Sequence, residues 1–327
     1  MDWFEGIAEC CAGGLLFAME DPRLTNLLAL APDTRKKRRP WRKVCFFSGG
    51  SVLLLYAALN FMFLPLEDVF VFRTVPPTEA WVQPPTTDVH DVRLRSADGT
   101  PLDAWWYCSK NWEPSDGAIL FCHGNATNLS QWGARMERWH KQLGEALLIF
   151  DYPGYGKSGG RPSETGLYAA ADAAYDWLIK KQHVQPARLL VCGESLGGGV
   201  AVDLASRRPH RALVLLSTFT SIPAVAQHLE PWLPAVWLMR NRFDSLAKIA
   251  HCRGPIFITH GTADTLVPCW QGERLYEAAH EPKCFLKLDG ASHDHRPDDR
   301  VRASVRRFLH DAETRMAIHS RPASTLH

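Results

Sequence analysis

Ser195 lies in Gly193-Glu194-Ser195-Leu196-Gly197, between the apolar run Leu189 to Cys192 and a small-residue helical pattern (Val200, Ala201, Val202, Leu204, Ala205). Strand, sharp turn and helix around Gly-x-Ser-x-Gly form a nucleophile elbow. The turn is so crowded that the positions two before and two after the serine must be small, and the helix N-terminus beneath the hydroxyl favours developing negative charge. Glycine and serine are common and the five-residue pattern recurs by chance. Its placement between a buried strand and a helix is what points to a nucleophile.

A serine hydroxyl becomes a useful nucleophile only with a base to take its proton, a carboxylate to orient that base, and N–H donors for the oxyanion. On a strand-turn-helix elbow the acid and base follow later strands, in the order acid then histidine. Asp264 occupies such a place in T-H-G-T-A-D, after Ile256 to Thr259, and His293 does so in L-D-G-A-S-H-D-H, after Cys284 to Leu288. His295 and Asp289 are the rival base and acid, each a few residues off the expected place, and His260 reads as structural. The expected oxyanion donors are the backbone N–H groups of Leu196, at the helix N-terminus, and of Asn125. Asn125 follows Gly124 in F-C-H-G-N, where the glycine is expected to permit close approach and His123 to shape the loop.

Three other patterns fail on inspection. Gly154-x-Gly156-x-x-Gly159 matches a dinucleotide fingerprint, but Pro162 and Ser163 start the helix several residues too late. A phosphate loop ending in Gly156-Lys157-Ser158 would need glycine at Asp151. His293, His295, Asp298 and Asp299 invite a metal, yet no second ligand cluster exists. No cofactor and no metal are expected.

Positioning this set requires a sheet. Val89 to Arg95 alternates apolar and polar residues, Asp98-Gly99 makes a turn, and Leu102 to Tyr107 returns as a hairpin. Apolar runs at 118–122, 146–150, 189–192, 213–216, 256–259 and 284–288 then alternate with helical patterns around 132–143, 163–181 and 299–310. The expected fold class is α/β, a mostly parallel central sheet with helices on both faces. Residues 218–253, rich in proline and tryptophan (Pro223, Pro231, Trp232, Pro234, Trp237), break the alternation after the sixth strand and are expected to form a cap. Trp232, Leu233, Val236, Trp237 and Leu238 either line an apolar acyl pocket there or pack the cap onto the body.

The 327 residues carry a formal net charge of +2, but seven basic residues crowd Arg35 to Lys43. Without a basic face on the folded part, nucleic-acid binding is not expected. Nine scattered cysteines with no CxxC pair give neither a disulfide framework nor a zinc site. Cys10 and Cys11 are adjacent, and acylation of either is left open. Val44 to Leu66 has no charged residue and would span about 35 Å as a helix, enough for a single membrane crossing. The expected organisation is an N-terminal cytoplasmic segment (1–43), a transmembrane helix (44–66), a proline-rich linker (67–86), a catalytic domain (87–312) and a tail (313–327). The basic cluster before the span places the domain on the non-cytoplasmic side, although unpaired Cys122 and Cys192 would suit a reducing compartment.

The segments H-G-N-A, D-Y-P-G-Y-G-K-S-G-G-R-P-S-E, G-E-S-L-G-G, R-F-D-S-L, H-G-T-A-D-T-L-V-P and G-A-S-H-D together resemble the α/β-hydrolase superfamily. They are most similar to its membrane-anchored branch, grouped with serine aminopeptidase and monoacylglycerol-lipase type proteins and with depalmitoylating thioesterases. The resemblance covers about Val89 to Leu309. It implies an α/β-hydrolase fold with Ser195 as nucleophile, Asp264 as acid, His293 as base, and Asn125 and Leu196 as oxyanion donors. Pro153 stands where relatives often carry a polar residue. The expected function is a membrane-anchored serine hydrolase acting on a small or lipid-like acyl ester or thioester. Its rivals are a serine peptidase acting on amides and a non-catalytic binding protein on the same fold.

Overall fold

The computed structural model describes residues 66–295 and 298–319, together with residues 51, 55, 56 and 58. Most of Val44 to Leu66, and all of the basic cluster and the Cys10-Cys11 pair, lie outside the described residues. Among the described residues no helix is long and apolar enough to cross a membrane.

Eight strands form one sheet: β1 (Val89–Arg95), β2 (Pro101–Tyr107), β3 (Ala118–Cys122), β4 (Ala146–Phe150), β5 (Leu189–Glu194), β6 (Ala212–Leu216), β7 (Ile256–Gly261) and β8 (Lys283–Leu288). Their spatial order is β1-β2-β4-β3-β5-β6-β7-β8. The hairpin β1–β2 is antiparallel, β2 meets β4 antiparallel, and every later pairing is parallel. The inner strands β3, β4 and β6 are apolar throughout and fully buried because both faces are covered, whereas β8 at the edge carries Lys283 and Lys287. Along β3, Ala118, Leu120 and Cys122 enter one core cluster while Ile119 and Phe121 enter the other, the two-residue period of a strand buried on both sides.

The helices are α1 (Glu67–Val71), α2 (Gly133–Leu143), α3 (Glu164–Lys180), α4 (Leu196–Arg207), α5 (Ile222–Leu229), α6 (Ala235–Leu238), α7 (Ser245–Ile249), α8 (Cys269–Ala278) and α9 (Asp299–His319). Ser163 starts α3 by accepting the Gly166 N–H, an N-cap that satisfies one of the helix's orphan donors. The segment between β6 and β7 holds α5, α6 and α7, where the cap was expected.

Two regions differ from expectation. The stretch read as a linker is packed: Val71 and Phe72 join a core cluster, Trp81 meets Trp105 edge-on, and the Val82 N–H donates to Ser130 Oγ at 3.0 Å. The fully buried Glu67 carboxylate accepts the backbone N–H groups of Arg240 and Asn241. In the cap, Leu233 is buried and Leu238 half-buried, but Trp232, Val236 and Trp237 are 61%, 49% and 88% exposed. Those three side chains therefore face outward instead of lining an acyl pocket.

Candidate active site

The elbow forms at the carboxyl end of β5. Ser195 has φ 53° and ψ −118°, a left-handed region that costs a non-glycine residue of the order of 1–3 kcal/mol and persists only where its surroundings enforce it. They do so here. The Ser195 N–H donates to Leu216 O at 3.0 Å, while its carbonyl accepts from the Gly198 N–H and from Thr218 Oγ1. A Cβ at Gly193 would lie 2.3 Å from Gly197 O, and one at Gly197 would lie 2.0 Å from Cys122 O. Both glycines of the motif are therefore steric requirements of the turn.

Asp264 and His293 arrive on neighbouring loops after β7 and β8. These loops are laced together: the Ala263 N–H donates to Ala291 O at 3.0 Å, the Thr262 N–H to Leu288 O at 3.0 Å, and the Gly290 N–H to Thr262 Oγ1 at 2.8 Å. A Cβ at Gly261 would lie 2.2 Å from Ala291 O, so glycine lets the loops close. The structure brings the three side chains into one chain of contacts, with His293 Nδ1 2.7 Å from Asp264 Oδ2 and His293 Nε2 3.0 Å from Ser195 Oγ.

The Asp264 side chain is buried, and burial raises its pKa. Hydrogen bonds from His260, His293 and the Val267 N–H outweigh burial and hold the carboxyl well below the usual carboxylate range. Its Oδ1 accepts the N–H groups of Leu266 and Val267 at 3.0 and 2.8 Å. An ionised Asp264 fixes the Nδ1–H tautomer of His293 and leaves Nε2 free to accept the serine proton. His260, fully buried, gives its Nε2–H to Val267 O at 2.7 Å and lies 3.3 Å from Asp264 Oδ2, so it props the acid from behind.

The rivals lie elsewhere. His295 and Asp289 are exposed, and among the described residues neither side chain makes a hydrogen bond to Ser195, Asp264 or His293. His123 is buried, donates through Nδ1 to Gly124 O at 2.8 Å and lies 3.2 Å from Asp151 Oδ1, which makes it a brace for the loop after β3. That loop passes directly over the elbow, since a Cβ at Gly124 would stand 3.6 Å from Ser195 Cβ. This is ordinary contact, and close approach alone does not demand glycine at position 124.

Among the described residues, neither the Asn125 nor the Leu196 backbone N–H donates a hydrogen bond, and the Leu196 group opens α4, where such donors have no partner within the helix. The Asn125 side chain is held firmly. Its Nδ2 donates to Val71 O at 2.6 Å, and its Oδ1 accepts from the Arg73 N–H at 2.9 Å and Tyr155 Oη at 2.7 Å.

Glu194 and Arg135 were not foreseen. Glu194 sits beside Ser195, its pKa raised by burial against the opposing pull of Arg135, whose guanidinium lies 3.0 Å away and 4.2 Å over the Trp132 ring. Only the variable position before the serine hinted at the carboxylate, and nothing in one dimension pairs it with a residue on α2. Among the described residues no cluster of histidine, cysteine and acidic side chains could hold a metal ion.

Residues 117–248 match the sequence profile of a family described as the alpha/beta hydrolase fold. An uncharacterized protein of Mycobacterium tuberculosis is 41% identical over 222 residues, covering 67% of this chain and 78% of that protein. The alpha/beta hydrolase domain-containing protein 17B of Xenopus tropicalis is 33% identical over 187 residues, covering 57% of this chain and 62% of that one. Among solved structures, the Pyrococcus furiosus esterase Pf2001 superposes with a TM-score of 0.56 at 20% identity, covering 71% of this chain and 98% of the esterase. Sheet order, the elbow after β5 and these likenesses agree, and the chain belongs to the α/β hydrolase fold family.

Proposed function

We propose that this protein is a membrane-anchored serine hydrolase that cleaves an acyl ester or thioester through an acyl-serine intermediate. The observation that carries the reading is the continuous relay from Asp264 Oδ2 through the His293 imidazole to Ser195 Oγ, with contacts of 2.7 and 3.0 Å. Ser195 Oγ attacks the acyl carbonyl carbon as its proton passes to His293 Nε2, and the carbonyl π pair moves onto oxygen. The N–H groups of Leu196 and Asn125 receive that oxyanion. Collapse expels the alkoxide or thiolate, which takes the proton from His293. Water then attacks the acyl-serine, gives its proton to His293, and a second collapse returns that proton to Ser195 and releases the carboxylic acid. Asp264 stays ionised throughout and stabilises the imidazolium.

The preference for acyl esters and thioesters over amides rests on the anchor, which keeps the site beside lipid. Each CH₂ of acyl chain buried on binding contributes about 0.8 kcal/mol, up to roughly fourfold in kcat/KM. A series of p-nitrophenyl esters of rising chain length, run beside amino-acid amides, tests this. Rates that climb with length while amides stay slow support it; rates flat with length and faster amides contradict it.

The anchor is Val44 to Leu66, uncharged and preceded by seven basic residues, which keep the N-terminus in the cytoplasm and put the domain across the membrane. Protease added to intact spheroplasts should then cut the domain. Full protection would place it in the cytoplasm.

A further inference from the structure

We propose that Thr127 is a positioning residue for the oxyanion, its hydroxyl holding the Gly124 carbonyl and thereby setting the direction of the Asn125 N–H. The inference rests on the reading of Ser195 as an acyl-accepting nucleophile and deepens it by naming what fixes one of the two donors.

A carbonyl and the N–H that follows it belong to one planar trans peptide unit and leave it from opposite edges. Whatever fixes Gly124 O therefore fixes the Asn125 N–H. Two side chains do so: His123 Nδ1–H donates to Gly124 O at 2.8 Å, and Thr127 Oγ1 donates to it at 3.2 Å. With both lone pairs of the carbonyl engaged, the peptide is not free to turn over. The Asn125 N–H donates no hydrogen bond among the described residues. Gly124 lies against the elbow, where a Cβ would stand 3.5 Å from Glu194 O and 3.6 Å from Ser195 Cβ.

Thr127 reaches back because of Ala126. That residue has φ 57°, a left-handed conformation uncommon outside glycine, and it turns the chain so that the hydroxyl three residues after Gly124 meets its carbonyl. The hydroxyl is itself held. Trp132 Nε1–H donates to Thr127 Oγ1 at 2.8 Å, which leaves the hydroxyl proton for Gly124 O. The indole is buried, Arg135 Cζ lies 4.2 Å over its ring, and the guanidinium pairs with Glu194 at 3.0 Å.

Glu194 directly precedes Ser195, so this series of contacts begins and ends at the elbow. Glu194, Arg135, Trp132, Thr127 and Gly124 form a circuit that sets the oxyanion donor against the nucleophile. The strap at 67–73 secures the far side of the same peptide, since Val71 O and the Arg73 N–H hold both ends of the Asn125 amide. A donor fixed before the charge develops costs no reorganisation when it does.

The test compares wild type, Ser195→Ala, Thr127→Val, Thr127→Ser and Trp132→Phe in the full chain. The substrate is a p-nitrophenyl ester, and the inhibitors are a trifluoromethyl ketone and the alcohol with the same alkyl chain. Ser195 Oγ adds to the ketone carbon as its proton passes to His293, and the carbonyl π pair becomes the oxyanion of a hemiketal. The alcohol forms no such bond. Removing an oxyanion donor outright costs about 10²- to 10³-fold in kcat, and misdirecting one with His123 still in place should cost about tenfold. Thr127→Val is therefore expected to lower kcat about tenfold at unchanged KM and to raise the ketone Ki by the same factor, with the alcohol Ki within about twofold. Thr127→Ser keeps the hydroxyl and should restore all of these values. Trp132→Phe should act in the same direction, and its effect should not add to that of Thr127→Val, because both break one series of contacts. Folding is checked by circular dichroism; if Thr127→Val fails it, the ratio of the two Ki values in Trp132→Phe decides. A kcat and ketone Ki within about twofold of wild type, or equal weakening of both inhibitors, overturns the positioning role and leaves the acyl-serine reading standing. Absence of Ser195-dependent ester hydrolysis removes that reading and the positioning role with it.

Discussion

Two buried histidine–aspartate pairs sit at the carboxyl ends of the same sheet, His123 with Asp151 at 3.2 Å and His260 with Asp264 at 3.3 Å. In the first, Asp151 Oδ1 also accepts the Leu129 N–H at 2.7 Å, and its other oxygen faces Gly156, where a Cβ would stand only 2.0 Å away. That carboxylate is enclosed by protein and reaches no nucleophile. In the second, Asp264 has another imidazole on its open side, His293, which retains 16% side-chain exposure and touches Ser195 Oγ. Burial and pairing are common to both sites; only in the second does the carboxylate orient a histidine that still meets solvent and a hydroxyl, which is what the proposed chemistry requires.

The sharpest way to break this contrast is to remove the open-side imidazole or its carboxylate. His293→Ala and Asp264→Asn are each expected to lower kcat by about 10³- to 10⁴-fold with little change in KM. Asp151→Asn should instead lower thermal stability and leave kcat within about tenfold, because it acts only on the brace. A comparable collapse of kcat in the Asp151 variant, at unchanged fold by circular dichroism, would erase the distinction.

Asp103 sharpens the comparison as a buried carboxylate without a histidine. It is opposite Arg93 in the β1–β2 register, but that arginine is largely exposed, and burial pushes the Asp103 carboxyl up to about 6. A raised folded value favours the protonated form. Its contribution to stability is therefore most favourable below the ordinary carboxylate value and is lost as pH rises from about 4 to about 6, on the order of 3 kcal/mol. Asp264 runs the other way: its depressed value stabilises the fold above the ordinary carboxylate range and is lost only as pH falls through that folded value. Asp103→Asn should thus raise Tm at pH 8 more than at pH 4.5, measured by thermal melts at both values.

Smaller effects are expected from the props and the rivals. His260→Gln weakens support to Asp264 and should lower kcat about tenfold, on the scale of one hydrogen bond to a charged group. His295→Ala and Asp289→Asn should leave kcat/KM within about twofold, since exposed side chains away from the relay contribute little. Steady-state kinetics on one ester suffices for all three.

The grouping of Ser195, Asp264 and His293 was legible because each lies within a few residues after an apolar run, and a strand's carboxyl end is where a parallel sheet presents its loops. Strands β1, β3 and β4 begin and end where hydropathy alone put them. Helix α8 was not, since Gly272 interrupts its pattern; a Cβ there would lie 2.6 Å from His260 Nδ1, so the glycine serves the packing beneath the acid. The strap at 67–73 was hidden for another reason. Its charges and the prolines that follow it (Pro76, Pro77, Pro84, Pro85) read as linker because the groups that bury Glu67 lie at Arg240 and Asn241, more than a hundred and seventy residues away. The outward Trp232 and Trp237 and the inward Leu233 and Met239 of the cap are likewise alike in one dimension, all of them apolar residues within one short segment.

The central claim, that Ser195 carries the acyl group, is tested most directly by intact-mass spectrometry of enzyme quenched in acid during turnover of a p-nitrophenyl ester, followed by peptide mapping. The account predicts one added acyl mass on the peptide bearing Ser195 in wild type, greater accumulation in a variant slowed in deacylation, and no adduct in Ser195→Ala. An acyl adduct of equal yield in Ser195→Ala, or one mapped to another residue in wild type, would contradict it.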